Sequence, residues 1–290
     1  MAGRMRVSIT LSGLGRLLGP SLSGVIETAA LAERAGVDQI VAPDHLAIGP
    51  RTDRYPYGRF PLPPGEPWLE PVVTLAAIAG ATQRIRLGTG VLIAPLRPAL
   101  LLAKTLATLD VLSQGRVDLG VGIGWQAEEF SASGVPFEGR AARMDDQLRA
   151  CRALWGGGPV SFRSPTVCFD DLVCLPRPLQ PGGIPIWFGV APTARNVARI
   201  AELGAGWLPI GSDLAEIARG VRSLREAFAK AGRDPAALGV RANAPSLDAL
   251  PALRAAGVTI AAFALARFAR SRDELRPFLE RVGALEREPR

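Results

Sequence analysis

The sequence predicts an α/β fold, a (β/α)8 TIM barrel, and three observations carry the prediction. From residue 5 onward, short apolar runs rich in Val and Ile alternate with longer stretches of helical period, as βα units around a parallel sheet do. About eight such units follow one another in 290 residues, near the ~250 of a single barrel. No break in composition divides them, which favours closure over the open, doubly wound sheet that shares this periodicity. One domain over residues 1–290 is expected, with a long loop after strand two and an insertion after the fourth helix.

Strand one is RVSITL, and a helix over 23–36 follows, with Ser23 as N-cap and Gly36 as its stop. QIVAPDH is strand two. The segment RTDRYPYGRFPLPPGEPW is too rich in Pro and Gly for regular structure, and Tyr55, Tyr57, Phe60 and Trp68 mark it as a folded loop that covers something. A helix over 71–82 leads to strand three, IRLGTGVLIAP; the next helix, PALLLAKTLATLDVLSQG, has Pro98 near its first turn and Gly115 past its end. Strand four is RVDLGVGIG. In the helix over 140–155, Met144, Leu148, Cys151 and Trp155 keep helical spacing, which assigns Cys151 to the core. Residues 156–183 break the rhythm with prolines and glycines and form the insertion. PIWFGV, GWLPI, LGVRA and VTIAAFAL supply the remaining strands, and a helix from Arg272 closes the chain.

Composition narrows the function. One histidine, His45, and three scattered cysteines, Cys151, Cys168 and Cys174, lack metal-ligand spacing, which argues against a zinc or iron centre and against a disulfide framework. The net charge of +7 is almost wholly arginine, since Lys104 and Lys230 are the only lysines. It attracts anions, but the arginines are dispersed rather than gathered among aromatics, so no nucleic-acid surface is expected. No apolar run reaches the ~18 residues of a membrane span, and Arg16 stands where a signal peptide would stay apolar. A cytoplasmic protein with no membrane partner is expected. A Schiff-base lysine at a strand end and the G-x-S-x-G of a nucleophile elbow are both missing.

Functional residues of a barrel sit at the C-terminal ends of its strands. Three stretches qualify. Asp44 and His45 could exchange protons or hydrogen-bond a ligand; equally, Asp44 could cap the loop and His45 bind backbone carbonyls. Gly120, Gly122 and Gly124 share one strand face by the period of two, leaving room for a flat ligand or for a neighbouring backbone. Trp125 at the sixth position of this glycine run excludes the dinucleotide fingerprint. Gly189, Val190, Ala191 and Thr193 form a turn that opens a helix, which suits either an anion or ordinary capping by Thr193.

At these residues the chain resembles the luciferase-like monooxygenase family, and within it the branch that uses the deazaflavin coenzyme F420. The resemblance runs through APDHLAIG, YPYGRFPLPPGEPWLEPVVTLAAIAGAT, the long block from RIRLGTG to VPFEGR, and PIWFGVAPTARNVARIAELGAGW. It implies a TIM barrel with the ring at its mouth, and Asp44 and His45 beside ring and substrate. It also implies a non-proline cis peptide at Gly90 and Val91 supporting one ring face, and a phosphate on the turn from Gly189 to Thr193. Related sugar-phosphate dehydrogenases carry a glutamate where this chain has Trp125, so His45 is left without that partner; Glu128 and Glu129 are assigned to starting a helix. Arg97 stands where close relatives have histidine.

The expectation is an oxidoreductase that moves hydride between F420 and a small organic substrate. His45 would be its acid/base, residues 51–68 its lid, and a homodimer its assembly. FMN is the alternative cofactor, in a monooxygenase reaction, and a non-catalytic flavin-binding protein is the alternative from another class.

Overall fold

The computed structural model describes residues 4–63 and 65–285. Its strands are β1 (Arg6–Thr10), β2 (Gln39–Ala42), β3 (Arg86–Thr89), β4 (Leu92–Ile93), β5 (Val117–Gly122), β6 (Val160–Arg163), β7 (Cys168–Leu172), β8 (Ile186–Phe188), β9 (Gly206–Trp207), β10 (Gly239–Asn243) and β11 (Ile260–Ala264). Pairing runs β1–β2–β3–β5–β8–β9–β10–β11 and returns from β11 to β1, all parallel. The ring is the closed TIM barrel that the alternation predicts. β4 resumes the line of β3 beyond a break at Gly90 and Val91, and β6 and β7 form an antiparallel hairpin within the insertion.

The helices are α1 (Leu14–Leu18), α2 (Val25–Ala35), α3 (Pro71–Ala81), α4 (Ala99–Leu112), α5 (Ala127–Ala132), α6 (Arg140–Leu154), α7 (Ala194–Leu203), α8 (Leu214–Lys230), α9 (Leu250–Ala255), α10 (Leu265–Phe268) and α11 (Leu275–Ala284). Two details differ from the sequence expectation. The N-cap of α2 is Gly24, at φ 97°, because the chain enters the helix through a left-handed turn that Ser23 would adopt only with strain. Strand two ends at Ala42, which leaves Pro43, Asp44 and His45 in the loop beyond it. Among the described residues, no helix is long and apolar enough to cross a membrane.

Strand side chains alternate between two cores. Val7, Ile9, Ile40, Leu87, Leu119 and Phe263 are buried in the core shared with the helices, together with Cys151. The other alternation fills the barrel, where Trp187, Leu208 and Ile260 pack below Val91. A Cβ on Gly120 would sit 2.1 Å from the Thr89 carbonyl oxygen, and one on Gly122 would sit 2.6 Å from the Val91 side chain. Of the two uses open to these glycines, the structure shows the close approach of protein: β3 and its bulge occupy the space. Gly124 does not share their face. It turns at φ 73° against Ile93 and Phe130, because β5 has already ended at Gly122.

The lower end of the barrel is closed by buried polar side chains. Arg116 donates to the carbonyls of Ala79, Thr82, Ile85 and Ser113 and to the Thr82 hydroxyl. The insertion returns through Gln180, whose amide donates to the Asp110 carboxylate at 2.8 Å and to the Val117 carbonyl at 2.7 Å. On the turn before β3, Glu33 accepts from the N–H groups of Gln83, Arg84 and Ile85 at 2.9, 2.6 and 2.8 Å. Burial alone would raise its pKa, but these bonds outweigh it and hold the carboxyl below its ordinary value.

Gly120→Ala is expected to lower unfolding free energy by about 2–3 kcal/mol, by overpacking against fixed backbone. Gly80→Ala, in a helix where a Cβ meets nothing within 4 Å, should raise it by up to ~1 kcal/mol. Urea denaturation of the pair checks both signs. Glu33→Gln should be less stable than the wild type at neutral pH. Because the folded pKa of Glu33 is lowered, its contribution is complete above about 4.5 and lost as pH falls through the folded value, so the two denaturation midpoints should converge in acid.

Candidate active site

The loop after β2 carries His45, and the short helix after β5 reaches across to meet it. The Glu129 carboxylate, 3% exposed, lies 3.1 Å from Nδ1 of His45 through Oε2. Its other oxygen accepts from the N–H groups of Leu46 at 2.5 Å and Ala47 at 3.4 Å. Gln126 fixes the same loop, accepting from the Gly49 N–H and donating to its carbonyl. The indole N–H of Trp125 points to Nε2 of His45 at a long 3.4 Å.

These contacts assign the tautomer. An indole only donates and an ionised carboxylate only accepts, so both bonds form together when Nδ1 carries the proton and Nε2 a lone pair. In this tautomer Nε2 of His45 carries a lone pair that could accept a proton. The expectation that His45 lacked a carboxylate partner is corrected. Glu129 stands against Nδ1, and its contacts go beyond starting α5.

The aromatic loop folds over this nitrogen. Ring centroids of Trp68 and Phe60 lie 4.8 and 6.1 Å from His45, and Trp125 lies 5.3 Å from Tyr55 and 5.4 Å from Phe60. The Trp68 indole nitrogen is buried without a hydrogen-bond partner. Burial raises the pKa values of Tyr55 and Tyr57, which keeps both phenols neutral.

Asp44 points the other way. Its carboxylate accepts from the Ile93 N–H at 2.8 Å and takes a two-pronged contact from Arg97 at 2.6 and 3.0 Å. Arg97 also reaches Glu70 at 3.0 Å, and these carboxylates raise its pKa although burial works against them. Arg97 is thus committed to protein carboxylates. Asp44 ties the loop after β2 to β4, just beyond the bulge.

The Gly90–Val91 peptide is cis. Val91 is half-buried and wedged between Gly122 and Gly189, whose Cβ atoms would meet it at 2.6 and 2.5 Å. The bulge, the glycines and the turn from Gly189 are therefore one continuous surface, joined to Asp44 through Ile93. In that turn Val190 is buried, with its carbonyl accepting from Trp207, while Ala191 and Thr193 are exposed. Thr193 caps α7, accepting from the Asn196 N–H at 3.3 Å. The N–H groups of Ala194 and Arg195, in the first turn, have no intrahelical acceptor.

Among the described residues, no group of three or more His, Cys, Asp or Glu is placed to hold a metal ion. The residues do fit a flat, anionic organic cofactor. The half-exposed Val91 sits where side chains on Gly122 and Gly189 would stand, and the positive end of α7 lies on the same rim.

A closed parallel barrel with a carboxylate-held histidine at its mouth and a threonine-capped helix start on the same rim has the form of the cofactor-dependent barrel oxidoreductases. The chain belongs to the luciferase-like monooxygenase family, which matches it over residues 5–284. It is 35% identical over 280 residues to an uncharacterised protein of Mycobacterium tuberculosis, covering 93% of this chain and 97% of that one. It is 31% identical over 223 residues to the F420-dependent hydroxymycolic acid dehydrogenase of Mycobacterium tuberculosis, covering 76% of this chain and 57% of that one. The crystal structure of a monooxygenase from Streptomyces bottropensis superposes with a TM-score of 0.69 at 26% identity, covering 87% of this chain and 75% of that one.

Glu129→Ala leaves the Leu46 N–H without its acceptor in a buried site and should destabilise the fold by about 2–3 kcal/mol. Glu129→Gln keeps an oxygen for that N–H and should cost about half as much. Thermal or urea unfolding of the two variants distinguishes this loop-holding role from a helix-start role, which would leave both near the wild type.

Proposed function

We propose that the protein is an F420-dependent oxidoreductase that oxidises an uncharged alcohol, or reduces the corresponding carbonyl, at the barrel mouth. The observation that carries the reading is the base-ready Nε2 of His45 inside an aromatic enclosure. The identity to an F420-dependent dehydrogenase supports the cofactor. When bound, the deazaflavin supplies the site that accepts or returns a hydride.

On the protein side, the substrate hydroxyl takes the place of the Trp125 indole at Nε2, and His45 receives the hydroxyl proton as hydride leaves the carbinol carbon. Glu129 holds the ring through Nδ1 and stabilises the cation that forms. Tyr55, Phe60, Trp68 and Trp125 exclude water and leave an apolar substrate the natural occupant. Residues 51–68 act as the lid, opening for exchange. Gly90 and Val91 support the ring, and Gly189, Val190, Ala191 and Thr193 carry its phosphate. Asp44 acts through Ile93 and Arg97, keeping the bulge in register with the histidine.

A second reading, an FMN-dependent monooxygenase, is favoured by the likeness to the Streptomyces enzyme. Anaerobic binding of both cofactors separates the two, and tight FMN binding without F420 binding would sink the first. With F420 bound, His45→Ala should lower kcat by about 10²–10⁴-fold with cofactor affinity unchanged. Binding without turnover of any secondary alcohol by the wild type would leave a sequestering protein.

A homodimer is proposed on helices α3 and α4, where Leu101, Leu112 and Val73 are 55, 66 and 69% exposed. Leu101 and Leu112 lie eleven residues apart, on one helix face. Leu101→Glu with Leu112→Glu should convert a dimer to a monomer in sedimentation velocity.

A further inference from the structure

We infer that Arg241 is a fixed cation beneath the Gly90–Val91 bulge that favours the anionic form of the ring cofactor bound above it. The inference rests on the deazaflavin reading and adds a positioning residue to it.

Arg241 lies on β10 inside the barrel, 8% exposed. Its Nη1 donates to the Gln39 side-chain oxygen at 3.0 Å and its Nη2 to the Thr89 carbonyl at 3.1 Å. Both acceptors are neutral. Gln39 donates onward to Asp118 at 2.7 Å, but that carboxylate is held by Arg86 through two bonds of 2.7 Å. The one carboxylate of this network is thus bonded by Arg86 and Gln39, and Arg241 does not contact it. Asp118, attracting, and Arg86, repelling, are the charged groups of this interior network. Burial pulls the ionisation of Arg241 down to about 10, which leaves it cationic at neutral pH.

A buried cation is costly unless opposite charge offsets it, and a bound anion would add to the partial offset from Asp118. The direction of that anion is set by Gly90. A Cβ there would lie 2.9 Å from Nη2, so the guanidinium rests against a residue with no side chain to screen it. A flat ring on Gly90 and Val91 has this charge on the far side of a single glycine, in an interior of low dielectric constant.

The test is an absorbance titration of the acidic hydroxyl of oxidised F420, free and bound to the wild type, Arg241→Lys and Arg241→Gln. Bound to the wild type, the hydroxyl should ionise about one pH unit below the free cofactor, a tenfold change. Arg241→Gln should return it towards the free value, and Arg241→Lys should keep most of the shift. Binding without a lowered value in the wild type, or with the same value in Arg241→Gln, overturns the inference and leaves the deazaflavin reading intact. The wild-type comparison decides even if Arg241→Gln does not fold. Failure of the wild type to bind F420 at all overturns the deazaflavin reading, and this inference with it.

Discussion

The Glu129 carboxylate joins the two halves of the barrel mouth, and the rest of the site depends on it. A carboxylate this deeply buried must find donors, because desolvation without partners costs several kcal/mol. It finds them all on the loop after β2: one on the imidazole, two on the backbone beyond it. One side chain thereby fixes the position of His45, the path of its loop and the tautomer that leaves Nε2 free to act. A serine or glutamine at the start of α5 could cap a helix equally well, but neither supplies the charge that would hold an imidazolium after proton uptake.

A second constraint comes from barrel closure. Bringing β3 against β5 places the Thr89 carbonyl where a Cβ of residue 120 would be, and the bulge then turns Val91 towards Gly122 and Gly189. Gly122 and Gly189, on two sides of Val91, leave room for its side chain that no larger residue would permit. Beneath it the barrel holds Gln39, Arg86, Asp118 and Arg241 hydrogen-bonded to one another across β2, β3, β5 and β10. Such a network is rigid only while every member is satisfied, so the bulge and the polar interior support each other.

The barrel was legible because its signal is local: the alternation of apolar runs and helical stretches needs no knowledge of partners. So were the folded aromatic loop, the glycine face of Gly120 and Gly122, and the cap at Thr193. The helix start at Gly24 was hidden by Ser23, the better cap by residue type, because the left-handed turn is imposed by tertiary structure. The partners of Arg97 were hidden because its carboxylates, Asp44 and Glu70, lie 53 and 27 residues away in the chain. Glu129 illustrates the limit most clearly. In QAEEF it has the position of a first-turn helix acid, and only folding brings it to a histidine 84 residues earlier. Its sequence signal is faint: adjacent glutamates point in different directions from a helix, so the two need not share one environment.

Trp125 then takes on a different meaning. Read against related sugar-phosphate enzymes it is a missing acid, which left His45 without a proton-transfer partner. In the folded protein the carboxylate four residues later, Glu129, meets Nδ1 of His45, and the tryptophan faces Nε2 on the other side of the ring. The exchange has a chemical logic. A second carboxylate at the mouth would suit a hydrophilic, hydroxyl-rich substrate, whereas an indole flanked by Tyr55 and Phe60 builds an apolar wall. The indole N–H also faces Nε2, so that nitrogen is not left bare beneath the aromatic loop. In the reaction proposed above, a substrate hydroxyl would replace that bond on entering, and a compound without one would leave a buried nitrogen unpaired. Discrimination of this kind comes from the cost of the unmade hydrogen bond, and here it follows from one indole nitrogen placed opposite one imidazole nitrogen.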